Sequence, residues 1–126
     1  VADVPALWNA KMKEYLGLDV TEDRLGCLQD IHWSFGAFGY FPTYSLGSIY
    51  AVQIFTHARE QIPNLEEHLA KGEFHVLKEW LNKNVHEQGS LRESGDELVF
   101  DLTGKYLDSS LYVKYLTEKY TTIYNL

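Results

Sequence analysis

The chain has 126 residues, 45% hydrophobic and 14% aromatic, with 11 basic against 18 acidic side chains and a net charge of −7. This hydrophobic fraction argues against intrinsic disorder, and no apolar run approaches the roughly 18 residues of a membrane-spanning helix. The acidic balance, without a basic block, argues against nucleic-acid binding, and a single cysteine, Cys27, excludes an internal disulfide framework. The one thiol fits a reducing, cytoplasmic compartment. Val1 rather than Met opens the chain and no signal peptide follows, so a piece or a processed product is expected, and the missing signal carries no information on localisation.

Helical spacing runs through most of the sequence. Pro5 suits a first turn, with Leu7, Trp8, Met12, Tyr15 and Leu16 behind it and Gly17 as the stop. Thr21 is a candidate cap for a short second helix that holds Leu25 and Leu28 and fades near Asp30. Residues 34–44 fit a helix poorly, because Gly36, Gly39 and Pro42 punctuate them. Thr43 or Ser45 then caps a long helix, apolar on most sides, that ends before Pro63. Asn64 with Glu67 reads as a capping box for a short helix ending at Gly72. Phe74, Leu77, Leu81 and Val85 form the next stripe, with Trp80 beside it and Gly89 closing it. Ser94 with Glu97 is a second capping box, for a helix stopped by Gly104. Asp108 caps the last helix, which carries Leu111, Tyr112, Tyr115, Leu116, Lys119, Tyr120 and Ile123. No alternating segment of useful length occurs. The expected fold class is all-α, with about six or seven helices and no internal domain boundary across residues 1–126.

Few residues suggest chemistry outright. Five histidines are present, His32, His57, His68, His75 and His86, but none begins a His-Glu-x-x-His pair of metal ligands. His57 and Glu60 share a helical face, which suits packing or a surface pair. Cys27 reads as a buried structural thiol. Residues 29–47 stand apart. Six of these nineteen residues are aromatic, Trp33, Phe35, Phe38, Tyr40, Phe41 and Tyr44, and Gln29, Asp30, His32, Ser34 and Thr43 lie among them. Glycine-hinged backbone carrying rings and polar tips lines many ligand pockets. The same rings could instead pack the loop against the core, and the residues alone leave both open.

The run Gln-Asp-Ile-His-Trp-Ser-x-Gly-x-Phe-Gly-Tyr-Phe-Pro-Thr-Tyr-x-Leu-Gly at 29–47 closely resembles the C-terminal motif of the M32 metallocarboxypeptidases, the carboxypeptidase Taq family. The long helix after Leu46 is similar too, as are Leu81-Asn82-Lys83-Asn84-Val85-His86 with Gly89, and Tyr112-Val113-Lys114-Tyr115-Leu116 with Lys119-Tyr120. The resemblance implies the C-terminal quarter or so of a helical, groove-containing enzyme that removes single residues from peptide C-termini. It implies zinc or another divalent ion, held by a His-Glu-x-x-His helix and a downstream glutamate that this chain lacks, so no metal ligand is expected here and the segment alone should be inactive. It also implies a possible homodimer. Such an enzyme must hold a terminal carboxylate and stabilise an oxyanion, and tyrosine hydroxyls and a histidine N–H are suitable donors. His32, Tyr40 and Tyr44 are therefore candidate substrate contacts, with Gln29 and Asp30 as orienting groups and Phe35, Phe38 and Phe41 as wall and packing residues. The alternative is a non-catalytic helical module that binds peptide or another protein. A segment of a larger groove should leave Tyr50, Phe55 or the 33–41 aromatics partly uncovered.

Overall fold

The computed structural model describes residues 1–126 and is all-α, with seven α-helices, three short 3₁₀ turns and no strand. No helix is long and apolar enough to cross a membrane. The chain folds as two compact units, Val1–Pro42 and Thr43–Leu126.

In the first unit, α1 runs Val4–Leu16 with Pro5 in its first turn. Gly17 closes it in the left-handed conformation at φ 71°. The Gly17 N–H donates to the Lys13 carbonyl and the Leu18 N–H to the Met12 carbonyl, which satisfies the last turn. The expected second helix does not form. Two 3₁₀ turns, Asp23–Leu25 and Cys27–Gln29, stand in its place. Gly26 separates them at φ −125°, ψ −118°, far from helical angles. A Cβ on Gly26 would lie 2.6 Å from Val20 Cγ1 and 3.3 Å from Trp8 Cδ1, so close approach of the chain, not helical propensity, sets this stretch. Cys27 is buried, as expected of a structural thiol. A short α2, Ile31–Ser34, follows. Gly36 and Gly39 then take φ 74° and 78° in the irregular segment that the sequence foresaw.

The second unit is organised around α3, Pro42–Gln61. This helix begins at Pro42 itself, so Thr43 and Ser45 lie inside its first turn and do not cap it. Proline suits that place because its missing N–H would be unpaired there anyway. The remaining helices are α4 Leu65–Ala70, α5 His75–Asn84, α6 Gly95–Thr103 and α7 Ser109–Tyr124. Asn64 precedes α4 but at φ 54°, with its side chain making no cap bond. Its backbone carbonyl accepts from the Glu67 and His68 N–H groups instead. Ser94 Oγ accepts the Glu97 N–H, while the Glu97 carboxylate accepts from the Glu93 N–H, a capping box displaced by one residue. Asp108 caps α7 by accepting the Ser110 N–H at 2.9 Å.

Ala58, Ile62 and Leu65 form the buried cluster, with Phe55, Leu69, Val76, Leu77 and Trp80 packed on it. Val99 of α6 is fully buried. A concavity of about 980 Å³ is lined by residues of α3, α5 and α7, with Val52, Phe55, Leu77, Leu81 and Leu116 supplying apolar surface. Tyr50 and Phe55 are half-buried, while Phe35, Phe38, Tyr40 and Phe41 are exposed.

Two polar contacts on α3 generate tests. Gln53, 3% exposed, accepts the Asp108 N–H at 2.9 Å and donates to the Tyr106 carbonyl at 3.1 Å. Gln53→Leu should cost about 1–3 kcal/mol for each backbone group left unpaired, read from denaturant unfolding. Tyr50 Oη donates to Asp96 Oδ1 at 2.6 Å. That hydrogen bond first, and burial second, push the Tyr50 phenol up to about 12 from 10.0. Below the lower value the phenol is neutral whether the chain is folded or not. Above it the unfolded chain ionises first, so this contribution to stability falls as the pH rises toward the upper value. Unfolding midpoints of the wild type and Tyr50→Phe should converge over that window.

Candidate functional site

Asp30 stands at the N-cap of α2, and its Oδ1 does two things there. It accepts the backbone N–H of His32 at 2.9 Å, which starts the helix, and it lies 2.7 Å from Nδ1 of the His32 ring. A carboxylate only accepts, so Nδ1 carries the proton in this contact. The second nitrogen, Nε2, is then the acceptor of a neutral ring or the donor of a charged one. The Asp30 side chain is 10% exposed and that of His32 24%, so the pair is held largely out of water. The Tyr40 ring meets the His32 ring at 5.1 Å between centroids, tilted by 36°. Asp30, His32 and Tyr40 are therefore brought together within the first unit.

The other two expected site residues have contacts of their own. Gln29 turns back on its own stretch and donates to the Arg24 carbonyl, so it braces the 3₁₀ turns. Tyr44 lies on the first turn of α3, in the second unit, with its ring exposed and its carbonyl accepting from Ser48 Oγ. Within the second unit, Tyr44 is not among the residues lining the 980 Å³ concavity.

Aromatic contacts hold the segment between them. Phe38 stacks on Trp33 at 5.6 Å and 20°. Trp8 of α1 meets Trp33 edge to face at 6.0 Å and 86°. Phe38 is thus a packing residue of this loop, as expected. The role of Trp8 was not legible, because nothing local in α1 marks which of its stripe residues reaches Trp33. Three buried polar atoms of this unit, Trp8 Nε1, Asn9 Oδ1 and Asp30 Oδ2, have no hydrogen-bond partner within the chain.

No three His, Cys, Asp or Glu side chains converge in a geometry fit for a metal ion. Three of the four remaining histidines have local partners. His57 contacts Gln61 Nε2 at 2.8 Å and Glu60 at 3.5 Å, His68 contacts Glu73, and His86 contacts Asn82. These residues do not fit a metal centre.

The sequence profile of the carboxypeptidase Taq (M32) metallopeptidase family matches residues 1–120. Carboxypeptidase 1 of Bacillus subtilis is 42% identical over all 126 residues, and thermostable carboxypeptidase 1 of Pyrococcus furiosus is 39% identical over 118 residues, 94% of this chain. These spans are 25% and 23% of the two relatives. Among solved structures, the M32 carboxypeptidase from Deinococcus radiodurans R1 matches with a TM-score of 0.91 at 35% identity, over 99% of this chain and 25% of that one. Helical architecture and sequence together place the chain among the metallopeptidases. It belongs to the carboxypeptidase Taq (M32) family. It spans about a quarter of the length of the relatives it matches.

The Asp30–His32 contact makes its own test. Asp30→Ala removes the acceptor at Nδ1. Long-range ¹H–¹⁵N spectra of the imidazole should show the neutral His32 ring protonated at Nδ1 in the wild type and shifted toward Nε2 protonation in the variant.

Proposed function

We propose that this chain is the C-terminal segment of a metallocarboxypeptidase that releases single residues from peptide C-termini, and that residues around α2 supply donors to the substrate. The observation that carries this is the Asp30-oriented His32 ring packed on Tyr40. An imidazole fixed by a carboxylate at Nδ1 presents Nε2 in one direction, where it donates as the imidazolium, and the phenol beside it is a donor in its neutral form. Donors held in place before the reaction stabilise developing negative charge far better than mobile ones. Tyr44 is a separate candidate donor. Gln29 acts on the backbone of its own turn and supports Asp30 only through the chain.

The catalytic ion, zinc or another divalent metal, belongs in this reading to residues outside these 126, within one catalytic domain that includes them. When bound it would polarise the scissile carbonyl and activate water. The segment alone is then inactive and binds no metal stoichiometrically. The orphaned Asp30 Oδ2, Trp8 Nε1 and Asn9 Oδ1 support the larger domain, because a buried polar atom without a partner costs about 1–3 kcal/mol. A cytoplasmic site of action and a homodimer belong to the same reading.

The test is steady-state cleavage of C-terminally free and blocked dipeptides by the whole carboxypeptidase carrying His32→Ala, Tyr40→Phe or Tyr44→Phe. Loss of one preorganised donor should lower kcat/KM on the order of 10²–10³-fold for the free peptide. A contact made in the transition state should appear in kcat, and a ground-state carboxylate contact in KM. Rates within about twofold of wild type for all three variants would be far below the expected effect and would withdraw the assignment.

A further inference from the structure

Residues 35–41 carry four exposed rings and two left-handed glycines, yet they must hold Tyr40 against His32. Their backbone is tied by the Ala37 N–H to the His32 carbonyl at 3.0 Å and a long Tyr40 to Ala37 bond at 3.4 Å. A Cβ on Gly36 or Gly39 would meet nothing within 4 Å, so crowding does not shape the turn. Two ring pairs add to these bonds. Phe38 lies on Trp33 and Tyr40 on His32, so the returning loop is clasped to two consecutive residues of α2.

The clasp has a backing. Trp8 sets its indole against Trp33 from α1. Trp8 is itself placed by the approach of Gly26, where an added Cβ would sit 3.3 Å and 3.4 Å from two atoms of the indole. The line of contact runs from Gly26 through Trp8 and Trp33 to Phe38, beside the Asp30–His32–Tyr40 cluster. The ring contact between Trp8 and Trp33 joins residues remote in sequence, and such contacts fix a ring's direction as well as its depth.

We propose that Trp8 is a positioning residue for the His32–Tyr40 donor pair, acting through Trp33 and Phe38. This rests on the function proposed above. It makes α1 part of the substrate apparatus although no residue of α1 belongs to the donor pair. A displacement of about 1 Å in a catalytic group can cost about 10²-fold in rate, so loss of the Trp8 ring is expected to be felt in turnover.

The test uses the whole carboxypeptidase carrying Trp8→Ala, Trp8→Phe, Tyr40→Phe and the double variant Trp8→Ala/Tyr40→Phe. Val99→Ala, in the second unit, serves as a stability control. Trp8→Ala should lower kcat/KM by about tenfold to a hundredfold, in the same parameter, kcat or KM, that Tyr40→Phe changes. Trp8→Phe keeps a ring on Trp33 and should recover the rate to within about threefold. The double variant should lose no more than about twofold beyond Tyr40→Phe, because both changes act on one group. Val99→Ala should lower the melting temperature and leave the rate unchanged. If Trp8→Ala does not accumulate, Trp8→Leu takes its place, since it fills space without the ring contact. An impaired Tyr40→Phe beside an unimpaired Trp8→Ala overturns the proposal alone. So do multiplicative losses in the double variant, or a Val99→Ala loss as large as that of Trp8→Ala. Unimpaired His32→Ala and Tyr40→Phe overturn the donor assignment and this proposal together.

Discussion

One buried amide holds the second unit in register. Gln53 sits in the middle of the twenty-residue α3, and both ends of its amide are spent on the backbone between α6 and α7. Its Oε1 takes the Asp108 N–H from the residue whose own carboxylate caps α7. The start of the last helix is thereby fixed from inside the unit as well as from its own sequence. Tyr50 reaches α6 one turn earlier, with its ring against Gly95, where a Cβ would lie 3.2 Å from Tyr50 Cζ. Ala58 lies further along the same helix, in the small buried cluster with Ile62 and Leu65. The apolar core is thin, with only Leu65 and Val99 among larger side chains fully buried. Hydrogen bonds made by a helix interior therefore carry more of the specificity than in a larger core, and a buried unpaired group is the most damaging single change available.

What the sequence made legible follows the range of the interaction. Most signals that act over two to four residues hold in the fold. Gly17 and Gly104 stop helices in left-handed turns, Ser94 and Asp108 accept from the N–H groups their positions predict, and Pro63 lies just beyond α3. Signals that depend on a distant neighbour do not hold. Leu25 and Leu28 look helical, but the close approach of Gly26 to Val20 and Trp8 breaks that stretch into two turns. Two local cap signals failed as well: Asn64, at left-handed angles, caps α4 with its backbone carbonyl and not its side chain. Pro42 starts α3 ahead of the hydroxyl residues that seemed suited to cap it. The site divides in the same way. Asp30 beside His32 is a local pairing two residues apart, and it forms. Gln29, expected as an orienting group, places its amide on the carbonyl of Arg24.

Under the proposed function, the first unit meets a problem that any loop-borne donor poses. Glycine lets the chain reverse within a few residues, but the same freedom would let a phenol wander, and a wandering donor must be reorganised at the moment it is needed. Here the freedom is taken back by contacts of two kinds. Charge fixes the imidazole, because one oxygen of Asp30 binds both the backbone and the ring of His32 and leaves that ring little choice of orientation. Ring packing then fixes the phenol, because Tyr40 lies against the imidazole so placed. Neither contact requires a residue beyond Val1–Pro42. The contacts between Asp30, His32 and Tyr40 are thus made within the first unit, while no three His, Cys, Asp or Glu side chains of these 126 residues converge in a geometry fit for a metal ion.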